Sequence, residues 1–264
     1  MSLPTLGFIG AGAIVRAMVG GFCERAADTP YPIIVYDINP EASKALADKY
    51  PDRVTAVTEA QECLDKSEWV IVAILPDAGE SFLKSVKFRE DHKFINVMFD
   101  KTVEQCAQWM NVTPKTMLHM IPGTYLSFYP GPIVQSPPTP EAAEIFGHIG
   151  EIVAVDKRYH AAVFATVTAL FAPIYALMDH IIDWAKTEGV PEEAATKYVT
   201  NMFAAVTQES ISKDKAGVHH MATVSTPGGI NMQALDILNE NGGFTKWAET
   251  MIPIMERVGE GIPK

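Results

Sequence analysis

Cysteine is scarce in this 264-residue chain: Cys23, Cys63 and Cys106 are the only three, an odd number with no C-x-x-C pair. That pattern excludes a disulfide framework, argues against a zinc site and fits a reducing, cytoplasmic setting. Basic residues are also in short supply, 21 Lys and Arg against 32 Asp and Glu, for a formal charge of −11. The mean field therefore repels phosphate backbones, and no nucleic-acid partner is expected. The first dozen residues lack a basic n-region and a cleavable apolar stretch, so no secretory signal is expected. Histidines at H-x-x-x-H spacing, internal repeats and low-complexity tracts are missing as well. One hydrophobic run, Ala161 to Met178, approaches membrane-spanning length at about 18 residues. Thr166, Thr168, Pro173 and Tyr175 dilute it, and Asp179, His180 and Asp183 follow at once. The expectation is no membrane span but a helix apolar on every face, enclosed by protein and partly covered by a partner subunit.

What is present is 48% hydrophobic and 20% charged, an ordinary soluble composition. Short β-branched runs alternate with helical patterns through the first half: T-L-G-F-I-G from Thr5, P-I-I-V-Y-D from Pro32, W-V-I-V-A-I-L from Trp69 and F-I-N-V-M from Phe94. Continuous apolar strands separated by helices predict an α/β fold, a doubly wound parallel sheet covered on both faces. After Tyr159 the pattern predicts only helices: Tyr159 to Thr187, Pro191 to Ser212, a segment after Gly229, and Phe244 to Val258. Residues 1–156 and 157–264 are thus read as two domains, the second all helical. Between them Pro130, Pro132, Pro137, Pro138 and Pro140 surround a short strand-like I-V-Q.

The most informative local feature is G-A-G-A-I-V, Gly10 to Val15, directly after the first strand and opening a helix. Gly10 permits a tight turn and Gly12 a close backbone approach, so that free N–H groups and the helix dipole can meet a pyrophosphate. Val15 stands where such fingerprints carry Gly or Ala. The second strand ends in Asp37, where dinucleotide-binding folds place an acid on the adenosine ribose. A 2′-phosphate about 4 Å from that carboxylate would meet some 1 to 4 kcal/mol of repulsion per unit charge. NAD(H) is therefore favoured, with NADP(H) left open; no Lys or Arg follows in Ile38 to Ser43 to offset the charge.

A second glycine turn, V-S-T-P-G-G-I-N-M-Q-A-L, runs from Val224 to Leu235. Gly228 and Gly229 would expose consecutive N–H groups ahead of a helix and suit a carboxylate; an ordinary helix-to-helix turn capped by Thr226 is the competing reading. The glycine turn, V-A-I-L-P-D at Val72 to Asp77, M-I-P-G-T at Met120 to Thr124, P-x-Y at Pro173 to Tyr175 and T-P-G-G together resemble pyrroline-5-carboxylate reductase, across nearly the whole chain. The resemblance implies an N-terminal Rossmann domain binding NAD(P)H and a C-terminal helical domain forming a homodimer or higher homo-oligomer. It also implies a small carboxylate substrate, a cyclic imino acid of the proline-biosynthesis type. Position by position, Gly10, Ala11, Gly12, Ala13 and Ile14 would cradle the pyrophosphate, Asp37 the ribose, and Leu75 with Pro76 would border the nicotinamide. Thr226, Gly228, Gly229, Ile230 and Asn231 would hold the substrate carboxylate and ring nitrogen.

The chain departs from the family at the pocket. Asn231 stands for the second Thr of S-P-G-G-T-T, I-P-G-T-Y for M-P-N-T-P, L-F-A-P-I-Y for G-S-G-P-A-Y, and M-F-D for A-A-G. Imine reduction needs no strong enzymic acid, because an iminium arrives protonated; carbonyl reduction forms an alkoxide and needs a positioned proton donor. For a ketone, His119 at a strand end is the first candidate donor, with Asn231 or Tyr175 next; the plainer reading of His119 is a partly buried residue making one backbone hydrogen bond. His219 and His220 could form part of a pocket wall, although adjacent loop histidines are more often simply solvated. Three functions follow: an imine reductase, a reductase of a small keto or hydroxy acid on the same scaffold, and a nucleotide-binding regulator without turnover.

Overall fold

The computed structural model describes residues 3–98, 100–212, 218, 226 and 228–259. The chain divides into two compact units, Met1–Ala165 with Val258–Lys264, and Thr166–Arg257. The division falls inside a helix, nine residues beyond the boundary expected at residue 156, because Ala161 and Ala162 in that helix's first turns are fully buried.

The first unit is built on an eight-stranded sheet: β1 (Leu6–Ile9), β2 (Ile33–Tyr36), β3 (Val54–Val57), β4 (Trp69–Val72), β5 (Lys93–Asn96), β6 (Thr116–Ile121), β7 (Pro132–Ser136) and β8 (Glu151–Ala154). Their order is β3-β2-β1-β4-β5-β6-β7-β8, parallel throughout except for β6 against β7. The central strands β1 and β4 are buried at every residue, as expected of strands apolar on both faces. On one face Phe8, Val35, Ile71 and Ile95 pack against Val15, Met18 and Phe22 from helix α1 (Ala13–Gly20) and the π-turn that continues it. On the other, Ile9, Ile34, Val72 and Phe94 pack against Cys63 and Leu64 of α3 (Ala60–Asp65), Leu83 of α4 (Pro76–Ser85) and Cys106 of α5 (Val103–Trp109). Helices α2 (Pro40–Lys49) and α6 (Pro140–Phe146) complete the layers.

Local chemistry sets the helix starts that matter below. Asn39 caps α2 by accepting from the Glu41 N–H, Pro40 and Pro76 occupy first helical positions, and Thr102 with Gln105 forms a capping box on α5. The Pro-rich stretch does contain a strand, β7, at which the sheet reverses direction, so that β7 and β8 run opposite to β1–β6.

The second unit is helical: the end of α7 (Arg158–Thr168), α8 (Phe171–Thr187), α9 (Glu192–Ser212), α10 (Ile230–Glu240) and α11 (Gly243–Val258). The single helix expected from Tyr159 to Thr187 is interrupted at Ala169 and Leu170, whose N–H groups make tight-turn bonds to Thr166 and Val167. The cause is Pro173, which has no N–H to return to the Ala169 carbonyl and would clash with it in a continuous helix. By length and composition Arg158–Thr187 is apolar enough to cross a membrane. Within the chain α8 packs on α9 yet has no buried residue, leaving Phe171, Tyr175, Leu177 and Trp184 exposed.

Candidate active site

Strands β2 and β3 lie to one side of β1 and β4 to β6 to the other, so the chain reverses its direction of travel across the sheet at β1. A crevice at the carboxyl ends of the strands opens at such a switch point. The loop leaving β1 there is Gly10 to Gly12. Gly10 has φ +103° and donates to the Tyr36 carbonyl at 2.7 Å; a Cβ on it would lie 2.5 Å from the Ala73 carbonyl oxygen. Both the dihedral and the space demand glycine. Gly12 is different: it is the N-cap of α1, in extended conformation, and a Cβ there would meet nothing within 4 Å. The opening beside it is room that the folded chain does not itself use. No side chain caps α1, and its first turn has no acidic residue, so the leading amides of Ala13, Ile14 and Val15 and the positive end of the dipole stay available to an anion. Val15 at the third fingerprint position is fully buried in the sheet face, where its side chain fills the space a Gly would close.

Asp37 stands against this turn. One carboxylate oxygen accepts the Ala11 N–H at 2.6 Å and the other the Asn39 N–H at 2.8 Å. Each oxygen keeps a lone pair, so the partly exposed carboxylate can still accept from a diol. Ile38 (90% exposed) and Leu75 (79% exposed) project from the ends of β2 and of the β4 loop, and Pro76 starts α4 beside Leu75. Apolar side chains left open at this edge suit a flat ring. The fold therefore gathers Gly10, Ala11, Gly12, Ala13, Ile14, Asp37, Leu75 and Pro76 at one edge of the first unit. Arg16, which sequence reasoning passed over, is there too: its Nη1 donates to the Ala11 carbonyl at 2.7 Å. Its place on the first turn of α1, where side chains lean toward the N-terminus, was the available signal.

His119 is not at the mouth of this edge. It is 1% exposed, paired in register with Asn96 of β5 and Ser136 of β7, and neither ring nitrogen has a hydrogen-bond partner among the described residues. Burial first, then the charge of Arg158, push its pKa down to about 3. The ring is enclosed, so the N–H that a neutral imidazole keeps does not face the open edge as expected of a donor to a cofactor-bound substrate, and among the described residues it does not make the backbone hydrogen bond of the plainer reading. The consequence for stability has a definite sign. Below about pH 6.5 the unfolded chain binds a proton that the folded imidazole refuses until about pH 3, so stability is lost as pH is lowered through that window. His119→Leu is expected to match or exceed the parent at pH 7 by about 1 kcal/mol and to flatten the acid limb; denaturant melts between about pH 4 and pH 7 check it. An unchanged acid limb would remove His119 as its source.

The departures around β5 and β6 have local causes. Asn96, fully buried at the end of β5, accepts from the Met98 N–H at 2.9 Å and donates to the Lys101 carbonyl at 2.6 Å, folding the loop back on itself. Met98 is buried against Gly79, while Phe99 lies outside the described residues. Gly123 and Tyr125 replace the family's Asn and Pro as a matched pair: a Cβ at Gly123 would lie 2.2 Å from the Tyr125 ring, and the Tyr125 hydroxyl donates to the Pro132 carbonyl at 2.6 Å.

In the second unit, Thr226, Gly228, Gly229, Ile230 and Asn231 form the entry to α10. Gly228 has φ +74°, and the Gly229 N–H closes a turn on the Thr226 carbonyl at 2.9 Å. This corrects one detail of the expected nest: the Gly229 amide is spent inside the turn. Among the described residues, the amides of the first helical residues, Ile230, Asn231 and Met232, have no backbone acceptor ahead of the first helical bond from Gln233 to Gly229. Ile230 and Asn231 are exposed and no side chain caps the helix. Tyr175 is exposed on α8. Val224, Ser225, Pro227, His219 and His220 lie outside the described residues.

Comparison with known proteins gives the same two-part picture. A family model described as NADP oxidoreductase coenzyme F420-dependent matches residues 5–99, and one described as pyrroline-5-carboxylate reductase dimerisation matches residues 158–260. The pyrroline-5-carboxylate reductase of Escherichia coli (strain K12) is 24% identical over 96% of each chain. Among solved structures, a pyrroline-5-carboxylate reductase from Coxiella burnetii superposes with TM-score 0.84 over the whole of both chains at 17% identity. The Plasmodium falciparum pyrroline carboxylate reductase with NADP bound does so at 0.79 and 15% identity over 98% of each. At these identities the structural likeness is one of fold.

Proposed function

We propose that this chain, which matches the pyrroline-5-carboxylate reductase dimerisation model and resembles pyrroline-5-carboxylate reductases along its length, is a member of that family and reduces the C=N bond of pyrroline-5-carboxylate or a close cyclic imino acid with NADH. The observation that carries this reading is the Gly10–Ile14 turn at the switch point, with open space at Gly12, uncapped α1 amides and the Asp37 carboxylate against it. Gly10 to Ile14 and Asp37 would hold a nicotinamide cofactor, and the chemistry that it would supply is hydride for reduction of a C=N carbon. The chain's own part is binding and orientation. The α10 amides suit the substrate carboxylate, and Asn231 can offer its amide N–H to an imine nitrogen or its carbonyl to an iminium N–H. An iminium is already protonated and needs no acid from the protein, which agrees with the burial of His119; carbonyl reduction would need a donor that His119 does not supply.

Three finer readings accompany this one. Asp37 disfavours a 2′-phosphate by its charge, so NADH is the preferred cofactor even though a relative of this fold binds NADP. The chain works as a homodimer through the helical unit, in keeping with the dimerisation match and the exposed apolar residues of α8. It acts in a reducing cytoplasm, where its three free cysteines stay unpaired.

The test is cofactor oxidation with pyrroline-5-carboxylate alongside a panel of small keto acids. Turnover of the imine alone supports the proposal, turnover of keto acids alone replaces it, and nucleotide binding without turnover points to a regulator. In the same assay the parent protein is expected to prefer NADH by about tenfold or more, and Asp37→Asn to lose most of that preference. A parent that binds NADPH tenfold tighter would overturn the electrostatic argument.

A further inference from the structure

Ala11, buried in the glycine turn, is held at both ends by charged side chains. Asp37, 26 residues away, accepts its N–H at 2.6 Å; Arg16, one turn into α1, donates to its carbonyl at 2.7 Å. Neither contact is needed for the sheet, whose ladder is complete without them: Gly10 already donates to Tyr36 and Ala73 to Ile9. Both act on the segment whose shape decides where the Gly12 opening and the α1 amides face. We infer that Asp37 and Arg16 are positioning residues that preset the nucleotide-binding turn before ligand arrives, and that Asp37 therefore does more than choose between cofactors. This rests on reading the turn as the nucleotide's diphosphate site.

The physical reason is the cost of the alternative. Without an acceptor the Ala11 N–H is left unpaired in a part-buried turn, and the turn gains by rotating that peptide toward some other partner. The rotation would carry Gly12 with it. A side chain acting only through its charge on a 2′-phosphate would have no such effect, so the two roles separate when the charge is removed with and without the acceptor. Asp37→Asn removes the charge but keeps an amide oxygen that can accept from Ala11. Asp37→Ala removes both.

The experiment measures NADPH and NADH affinity by fluorescence titration for the parent, Asp37→Asn, Asp37→Ala and Arg16→Ala, with hydrogen exchange of the Ala11 amide in the nucleotide-free proteins. The expected result is that Asp37→Asn binds NADPH better than the parent, while Asp37→Ala binds it about tenfold more weakly than Asp37→Asn. Ala11 exchange should rise sharply in Asp37→Ala and stay slow in Asp37→Asn. Arg16→Ala should weaken both cofactors by the same factor and leave their ratio unchanged. Equal NADPH affinity and equal Ala11 exchange in the two Asp37 variants would overturn the inference while leaving the nucleotide site standing. A parent protein that binds neither cofactor would overturn the site itself and this inference with it.

Discussion

Gly12→Val is expected to fold with a loss of about 1 kcal/mol or less, yet to bind NADH about 100-fold more weakly, a difference of about 2.7 kcal/mol in binding. The expectation comes from the contrast between the two glycines of the turn. At Gly12 an added side chain meets no protein atom within 4 Å and the backbone is in an ordinary extended conformation, so folding is barely opposed. The side chain would instead fill the opening beside the α1 amides, where a diphosphate must come within hydrogen-bonding distance of the backbone. Gly10→Val should behave otherwise. Its φ of +103° is strained for any residue with a Cβ, at about 1 to 3 kcal/mol, and the Cβ would also sit 2.5 Å from a backbone oxygen that cannot move away cheaply. That variant should lose both stability and nucleotide binding. Thermal melts and NADH titrations of the pair decide the matter: a Gly12→Val protein that binds NADH as the parent does would remove the turn as the cofactor site.

The other large effect is expected on the helical unit. Helix α8 has no buried residue within the chain, and Phe171, Tyr175, Leu177 and Trp184 lie open along it. Water contact over that much apolar surface is unfavourable, by about 25 cal/mol per Å2, and a second copy of the same unit would relieve it. Leu177→Asp would place a carboxylate in that interface with no partner, a penalty of about 3 to 5 kcal/mol. The parent is expected to sediment as a dimer and Leu177→Asp as a monomer at micromolar concentration, with imine reduction lost. Were the variant to remain dimeric and active, α8 would not be the associating face.

How much of this could be read in advance differs from element to element. The four apolar runs became β1, β2, β4 and β5, because interior strands of a parallel sheet are buried on both faces and need continuous apolar sequence. The edge strands β3 and β8 are hard to see in the sequence, since a strand with one open side carries exposed residues such as Thr55 and Glu151 and gives a diluted signal. The long apolar run from Tyr159 suggests one continuous helix, and only the missing N–H of Pro173 marks the break at Ala169 and Leu170. The pocket was least legible. The exchange of Asn and Pro for Gly123 and Tyr125 looked like two departures and is one, a ring lying where the Asn side chain would have been.

The one-dimensional order of residues was sufficient for the α/β class, the switch-point turn and the acid that follows it, because each depends on a few neighbours whose dihedral and burial preferences are local. Folding in space alone decided that Asp37 and Arg16 grip Ala11, that His119 is sealed and neutral, and that the Gly229 amide is spent within its own turn. Those outcomes are set by which distant groups arrive beside each atom and how much water they displace, and neither quantity is carried by any short stretch of the chain.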